Sequence, residues 1–434
     1  MLGEWRRPSA EGLACITRFD LFRLEAYVPE VVQMLSKLEV KGFRSIEDAV
    51  VDFGPLTLLY GPTASGKSSL LYSLMVLRNF VLNPNQTVDG FFSLGFLALG
   101  PFEEVVFNHQ PGGGISITGY FDKEPQSGNY GVRLMKSEAD IFSASAIQDG
   151  AIRQQTRVAL PYAGGTSWNT EYSSGEGQFT VNWNGFASSV VPTIATSESQ
   201  ARAIEIAEAL NYPAEALKAV DICPNRRGFF KPSYSPTQVS PTPTSEEEVA
   251  TLIINDPNSA PRISNSTLEI FDRDFRLFSP SGTATHFLQT TEQVRARVPG
   301  YLVNDGFGVN QVVYMLAKIH RPAARVILIE EPEVHLHPTV ISKFAREVTR
   351  IAVEEKKQLV FTTHSADFVL AILGCVAEGV IEPDSLRCYY VEQERKRTVF
   401  NRQEVTKGGQ VSGGLASFME GQLEDIRKFL SHEK

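Results

Sequence analysis

The stretch "LTLLYGPTASGKSSLLYSLMVL", residues 56–77, passes from a short apolar run through a glycine-bounded turn into a segment whose apolar residues recur with helical spacing. Gly61, Gly66, Lys67 and Ser68 fill the pattern G-x-x-x-x-G-K-[ST] of a P-loop. Small residues let the backbone wrap a phosphate, so that successive N–H groups and the helix N-terminus point at it. Gly61, Pro62, Thr63, Ala64, Ser65, Gly66, Lys67, Ser68 and Ser69 are therefore expected to bind ATP, with Lys67 on the β and γ oxygens and Ser68 on Mg²⁺. An ordinary glycine turn is disfavoured because a strand signal precedes the loop and a helix signal follows it.

A P-loop needs a second strand ending in carboxylate, and "RVILIEEPEVHLHP" (325–338) supplies one. Taken alone, Glu330, Glu331, Glu333, His335 and His337 also suit a zinc or iron site. Beside a P-loop, Glu330 is expected in the Mg²⁺ shell and Glu331 as the general base. Pro332 turns the chain away, which separates the histidines from the acidic pair. His364 ends the next apolar strand, "QLVFTTHS" (358–365), where an imidazole can face a γ-phosphate. "DGFGVNQVVYML" (305–316) opens a helix on Gly306 and Gly308, which is either an anion-binding helix start or a plain cap.

Strand and helix signals alternate from about 300 onward, which implies a mostly parallel sheet covered by helices. The expected class is α/β: an ATPase head whose core is split between 34–95 and 300–434. An antiparallel β lobe over 96–195 and a helical and loop insertion over 196–299 interrupt it. In that insertion "KPSYSPTQVSPTPTSEEE" (231–248) reads as a mobile surface loop. Residues 1–33 read as an N-terminal extension without a signal-peptide core.

The 434 residues carry 42% hydrophobic and 21% charged side chains, which excludes wholesale disorder. A net charge of −9 argues against a general nucleic-acid coat. Cys15, Cys223, Cys375 and Cys388 form no C-x-x-C pair, so no disulfide framework or zinc ribbon is indicated. The most apolar window, 91–102, is too short for a bilayer and is broken by glycine and proline. A cytoplasmic protein without a membrane segment is the expectation.

"LEVKGFRSI" (38–46), "GPTASGKSS", "DGFGVNQ", "ILIEEPEVHLHP" and "TTHS" together resemble the ABC-type ATPase class that includes RecF, the SMC heads and the OLD-family ATPases. The stand-alone OLD-like ATPases look nearest. The resemblance covers 36–110 and 300–430. It implies an ATP-sandwich homodimer or higher homo-oligomer, with Glu331 the catalytic carboxylate and His364 the switch histidine. It also places Gly306 and Gly308 in a signature segment facing the partner's nucleotide, with Glu333 to His337 beside that interface.

Departures from the family pattern are Thr63 for asparagine, Glu330 for aspartate, and Gly306 in place of the signature serine. Gln110 is the nearest candidate for the glutamine that reaches Mg²⁺, and Arg226 is either near nucleotide or in a surface ion pair. Only about sixty residues follow "TTHSADFVLAIL", too few for the nuclease domain of OLD-type enzymes. A separate effector such as a nuclease or toxin, in a defence or DNA-maintenance system, is the expected partner. The alternative is an ATP-dependent DNA clamp, which the arginines of "RDFRLF" (273–278) and Arg295 and Arg297 would permit.

Overall fold

The computed structural model describes residues 35–110, 112–123, 126–147, 150–165, 168–175, 177–292 and 298–412, together with 414, 415, 418, 427, 428 and 431. The extension 1–33 and both Arg295 and Arg297 lie outside the described residues. The strand Leu56–Tyr60 sits inside a six-stranded sheet. Its order is Val220–Cys223, Val326–Glu330, Gln358–Thr363, Leu56–Tyr60, Leu386–Glu394, Arg397–Gln403. The first five run parallel and the last is an antiparallel edge. Every residue of Leu56–Tyr60, Val326–Glu330 and Gln358–Thr363 is buried, as near-continuous apolar strands require when both faces of a sheet are covered.

Alternation along these strands divides the interior. Leu59, Leu328 and Val360 face one core with the helix Lys67–Leu82. Leu58, Ile329 and Phe361 face another, with the helices Phe307–Ile319, Pro338–Glu354 and Ala366–Ala377. Register then decides where chemistry collects. Thr363 pairs with Tyr60 and Glu330 with Thr362, so Gly61, Glu331 and His364 leave the sheet together at its carboxyl edge.

The antiparallel lobe begins earlier than its sequence signal. Ile46–Asp52 and Leu35–Phe43 join Ile115–Lys123, Gln126–Leu134, Glu138–Ile147 and Gly150–Ala159 in one sheet. A three-stranded sheet, Trp168–Ser174, Gly177–Trp183 and Ser188–Pro192, follows. The helix Ser197–Lys218 starts on a capping box between Thr196 and Ser199, and the chain then enters Val220–Cys223 directly. The region read as an insertion therefore contributes a strand to the core sheet itself.

The loop 231–248 is pinned, contrary to its reading as mobile. The Ser240 N–H donates to Glu248 Oε1 (2.8 Å), and the N–H groups of Thr244 and Ser245 donate to Oε2 (3.2 Å each). Buried Tyr234 donates its hydroxyl to Glu246 (2.6 Å). Prolines remove backbone donors but leave carbonyls, and buried cations take these up. Arg78 donates to Pro241 O (2.8 Å), Lys318 donates to Pro243 O, and the Tyr314 hydroxyl donates to Thr244 O (2.8 Å). Among the described residues no helix is long and apolar enough to cross a membrane.

Candidate active site

The glycine loop between Leu56–Tyr60 and Lys67–Leu82 has the wrapped backbone its sequence predicts. Gly61 (φ 151°), Ala64 (φ 63°) and Gly66 (φ 99°) have positive φ. Contact makes two of these positions glycine-only. A Cβ at Gly61 would stand 2.1 Å from the Val391 carbonyl oxygen, and one at Gly66 would stand 2.0 Å from Thr398 Oγ1. The Thr398 hydroxyl holds the loop from the edge strand, donating to Ser65 O (3.0 Å).

The Lys67 ammonium folds into this loop and donates to Gly61 O (2.9 Å) and Pro62 O (2.7 Å), with Ser65 Oγ at 3.3 Å. Burial pushes its pKa down, against the pull of Glu331 and Glu333. Phosphate oxygens would offer this cation better acceptors than the loop carbonyls do.

Glu330 and Glu331 sit in different surroundings. Glu330 is buried, and its Oε1 accepts from the Tyr72 hydroxyl (2.8 Å). Ser68 acts electrostatically on the same phenol, so the two predicted Mg²⁺ ligands lie on either side of one hydroxyl. The Tyr72 pKa is raised, first by burial and then by the Glu330 charge. These are hard oxygen donors of the kind Mg²⁺ takes, so the residues fit that ion.

Glu331 adopts φ 41°, a strained conformation for a residue with a Cβ. Its Oε2 accepts from Asn225 Nδ2 (2.7 Å), and its Oε1 lies 3.2 Å from His364 Nδ1. Glu333 is also buried; its Oε1 accepts from the Thr363 hydroxyl (2.6 Å) and lies 3.7 Å from His364 Nδ1. Burial raises the Glu333 pKa despite those hydrogen bonds.

The remaining predicted residues fall elsewhere. Gly306 caps the helix Phe307–Ile319, and a Cβ on Gly308 would stand 2.8 Å from His335 O, so this helix start packs on the loop after Glu331. The exposed Phe307 ring lies tilted against His335 (5.4 Å between centroids). His337 N-caps Pro338–Glu354, accepting from Thr339 N (3.4 Å). The two histidines thus have separate uses and do not converge on the acidic pair. Gln110 is exposed on the turn after Phe107–His109. Arg226 is exposed, whereas its neighbour Arg227 is buried and donates to Glu330 O (2.5 Å) and Glu331 O (2.7 Å). Of the arginines read as DNA contacts, Arg273 is committed to Asp305 (2.9 Å) and Glu292 (2.6 Å).

The family model described as "AAA domain, putative AbiEii toxin, Type IV TA system" matches residues 56–371, which span the glycine loop, the acidic strand and His364. The chain belongs to this AAA family. Its likeness to P-loop ATPases of the ABC type, read above from the motifs, therefore stands. A comparison with curated proteins finds no match. Among solved structures the chain is similar to the SMC head domain from Thermotoga maritima, at TM-score 0.42 and 12% identity over 86% of this chain and 100% of that one. It is also similar to an SMC head bound to the C-terminal winged-helix domain of ScpA, at TM-score 0.44 and 13% identity over 85% and 98% of the two chains. A third similar structure is an SMC head with an extended coiled coil bound to the C-terminal domain of ScpA, derived from Pyrococcus furiosus (0.42, 12%, 91% and 99%).

Sequence reasoning missed four members of the site in this AAA chain. Tyr72 was detectable, since four residues after Ser68 it shares that helix face. Arg44 lies in the quoted "LEVKGFRSI", and its guanidinium stands 5.6 Å from the Tyr72 ring centroid. Asn225 and Arg227 follow the four-residue strand Val220–Cys223, whose signal in "AVDICPN" is too short to separate from the preceding helix.

Proposed function

We propose that the protein binds ATP with Mg²⁺ and hydrolyses it. The observation that supports this most is the meeting of Lys67, Glu331 and His364 at one sheet edge, with Glu331 and His364 3.2 Å apart. In the proposed reaction Glu331 takes a proton from water as its oxygen bonds to the γ-phosphorus. The bond from γ-phosphorus to the β-γ bridging oxygen breaks, its electron pair leaves with ADP, and inorganic phosphate forms. Lys67 offsets charge on the β and γ oxygens, and His364 donates to the γ-phosphate. Asn225 keeps the Glu331 carboxylate from swinging away. Ser68 and Glu330 would hold Mg²⁺, which supplies charge neutralisation across the phosphates. Gln110 is exposed on the turn after Phe107–His109, whereas the Asn225 side chain already lies beside Glu331, which makes Gln110 the weaker ligand candidate.

Two ATP molecules would be sandwiched between two copies, with Gly306 and Gly308 of each facing the other's phosphates. The exposed Phe307 beside that helix start supports a protein-facing surface. Control of a separate effector, a nuclease or toxin, rests on resemblance alone. Lys67→Ala is expected to abolish hydrolysis, at least about 100-fold. Phosphate release by that variant at the wild-type rate would remove the assignment.

A further inference from the structure

We propose that Arg227 is a positioning residue for hydrolysis, fixing the peptides on either side of Glu331 so that its carboxylate stays aimed at His364 and Lys67. The inference rests on the ATPase reading above and adds a residue that neither the P-loop nor the acidic strand contains.

Arg227 is 3% exposed. Its Nη1 donates to Pro224 O (3.0 Å) and Glu330 O (2.5 Å), and its Nη2 donates to Glu331 O (2.7 Å). One planar guanidinium therefore grips the carbonyls before and after the Glu331 α-carbon. This is a fork that only arginine supplies. The residue between those carbonyls is the one at φ 41°, and Pro332 after it disfavours right-handed helical geometry. Strained backbone persists only where its surroundings over-determine it. Here a third restraint is the Glu331 N–H, which donates to Thr362 O (2.8 Å).

The alternative use of a buried arginine is to tie a loop to the core. A pure tie would reach any convenient carbonyl. Besides Pro224 O, this one takes the two that set the direction of a single side chain, and that side chain lies near enough to Lys67 to oppose the fall in its pKa. Without the grip, the peptide can relax toward extended backbone and carry the carboxylate off the line between Asn225 and His364.

The test measures kcat and KM for ATP in wild type, Arg227→Lys and Arg227→Met, with melting curves for each, and repeats Arg227→Lys in a Glu331→Gln background. Arg227→Lys is expected to lower kcat about 100-fold while KM changes less than about threefold, because orientation and not binding is lost. In Glu331→Gln the same substitution is expected to cost less than about twofold more, since the two act as a unit. Unchanged kcat in Arg227→Lys, a KM rise that accounts for the loss, or a full multiplicative loss in the double variant overturns the inference. If Arg227→Met does not fold, Arg227→Lys melting with the wild type carries the test through its kcat and KM alone. Wild-type protein without ATP hydrolysis, or Glu331→Gln turning over at the wild-type rate, instead brings down the ATPase reading, and this inference falls with it.

Discussion

At the scale of single residues, the site is organised by groups that hold the carboxylates. Glu330 is longer by one methylene than the aspartate common at this position, and the Tyr72 hydroxyl meets its Oε1 at 2.8 Å. Removing that donor leaves a buried carboxylate oxygen short of a partner and free to shift. Tyr72→Phe is expected to raise the Mg²⁺ concentration for half-maximal hydrolysis about 10-fold, in the range that loss of an outer-shell partner produces. A titration of hydrolysis against Mg²⁺ checks this, and an unchanged midpoint would separate Tyr72 from the metal ligands. The acidic pair, Lys67 and His364 were legible because each sits at a fixed offset from a strong strand or helix signal. Asn225 and Arg227 were not. They are brought in by parallel pairing of Val220–Cys223 with Val326–Glu330, about a hundred residues away, and no local pattern encodes that pairing.

At the scale of elements, the loop 231–248 teaches the same lesson from the other side. Its proline and serine content reads as mobility, yet its carbonyls are taken up by Arg78, Lys318 and Tyr314 from two helices. Glu248 organises its backbone donors. Burial would raise the Glu248 pKa, but hydrogen bonds from Ser240 and Ser245 outweigh burial and hold it down to about 2, from an ordinary 4.5. A depressed carboxylate stabilises the folded state fully above its unfolded pKa, and that contribution disappears as pH falls from 4.5 through about 2. The loop is therefore expected to resist proteolysis at neutral pH and to open below pH 4.5, whereas Glu248→Gln cleaves readily at both. Rapid cutting of the wild-type loop at pH 7 would contradict this.

Beneath the loop, Asp221 is fully buried between Lys318 (2.7 Å) and Arg321 (2.9 Å). A broken buried pair leaves an uncompensated charge, so Lys318→Met is expected to cost about 3–5 kcal/mol, read as a lower urea midpoint. A shift within about 0.5 kcal/mol would show that Arg321 alone satisfies Asp221.

At the scale of the molecule, the parallel core was legible because its strands are continuous apolar runs separated by helices. The boundary of the antiparallel sheet was not. Leu35–Phe43 precedes the P-loop in sequence, but its second neighbour in the sheet is Ile115–Lys123, some eighty residues onward. The turn between the first two strands is thereby carried to the nucleotide loop, where Ser45 and Thr398 meet at 2.8 Å. The parallel sheet, the antiparallel sheet and the edge strand thus converge on one loop, the one proposed to hold ATP.

The most direct measurement is phosphate release from ATP by wild-type and Glu331→Gln protein, with bound nucleotide and molecular mass determined on the same samples. Release by the wild type is expected, and in Glu331→Gln retained ATP, doubled mass and release slowed at least about 100-fold. Release by Glu331→Gln at the wild-type rate, or none by either protein, would contradict this.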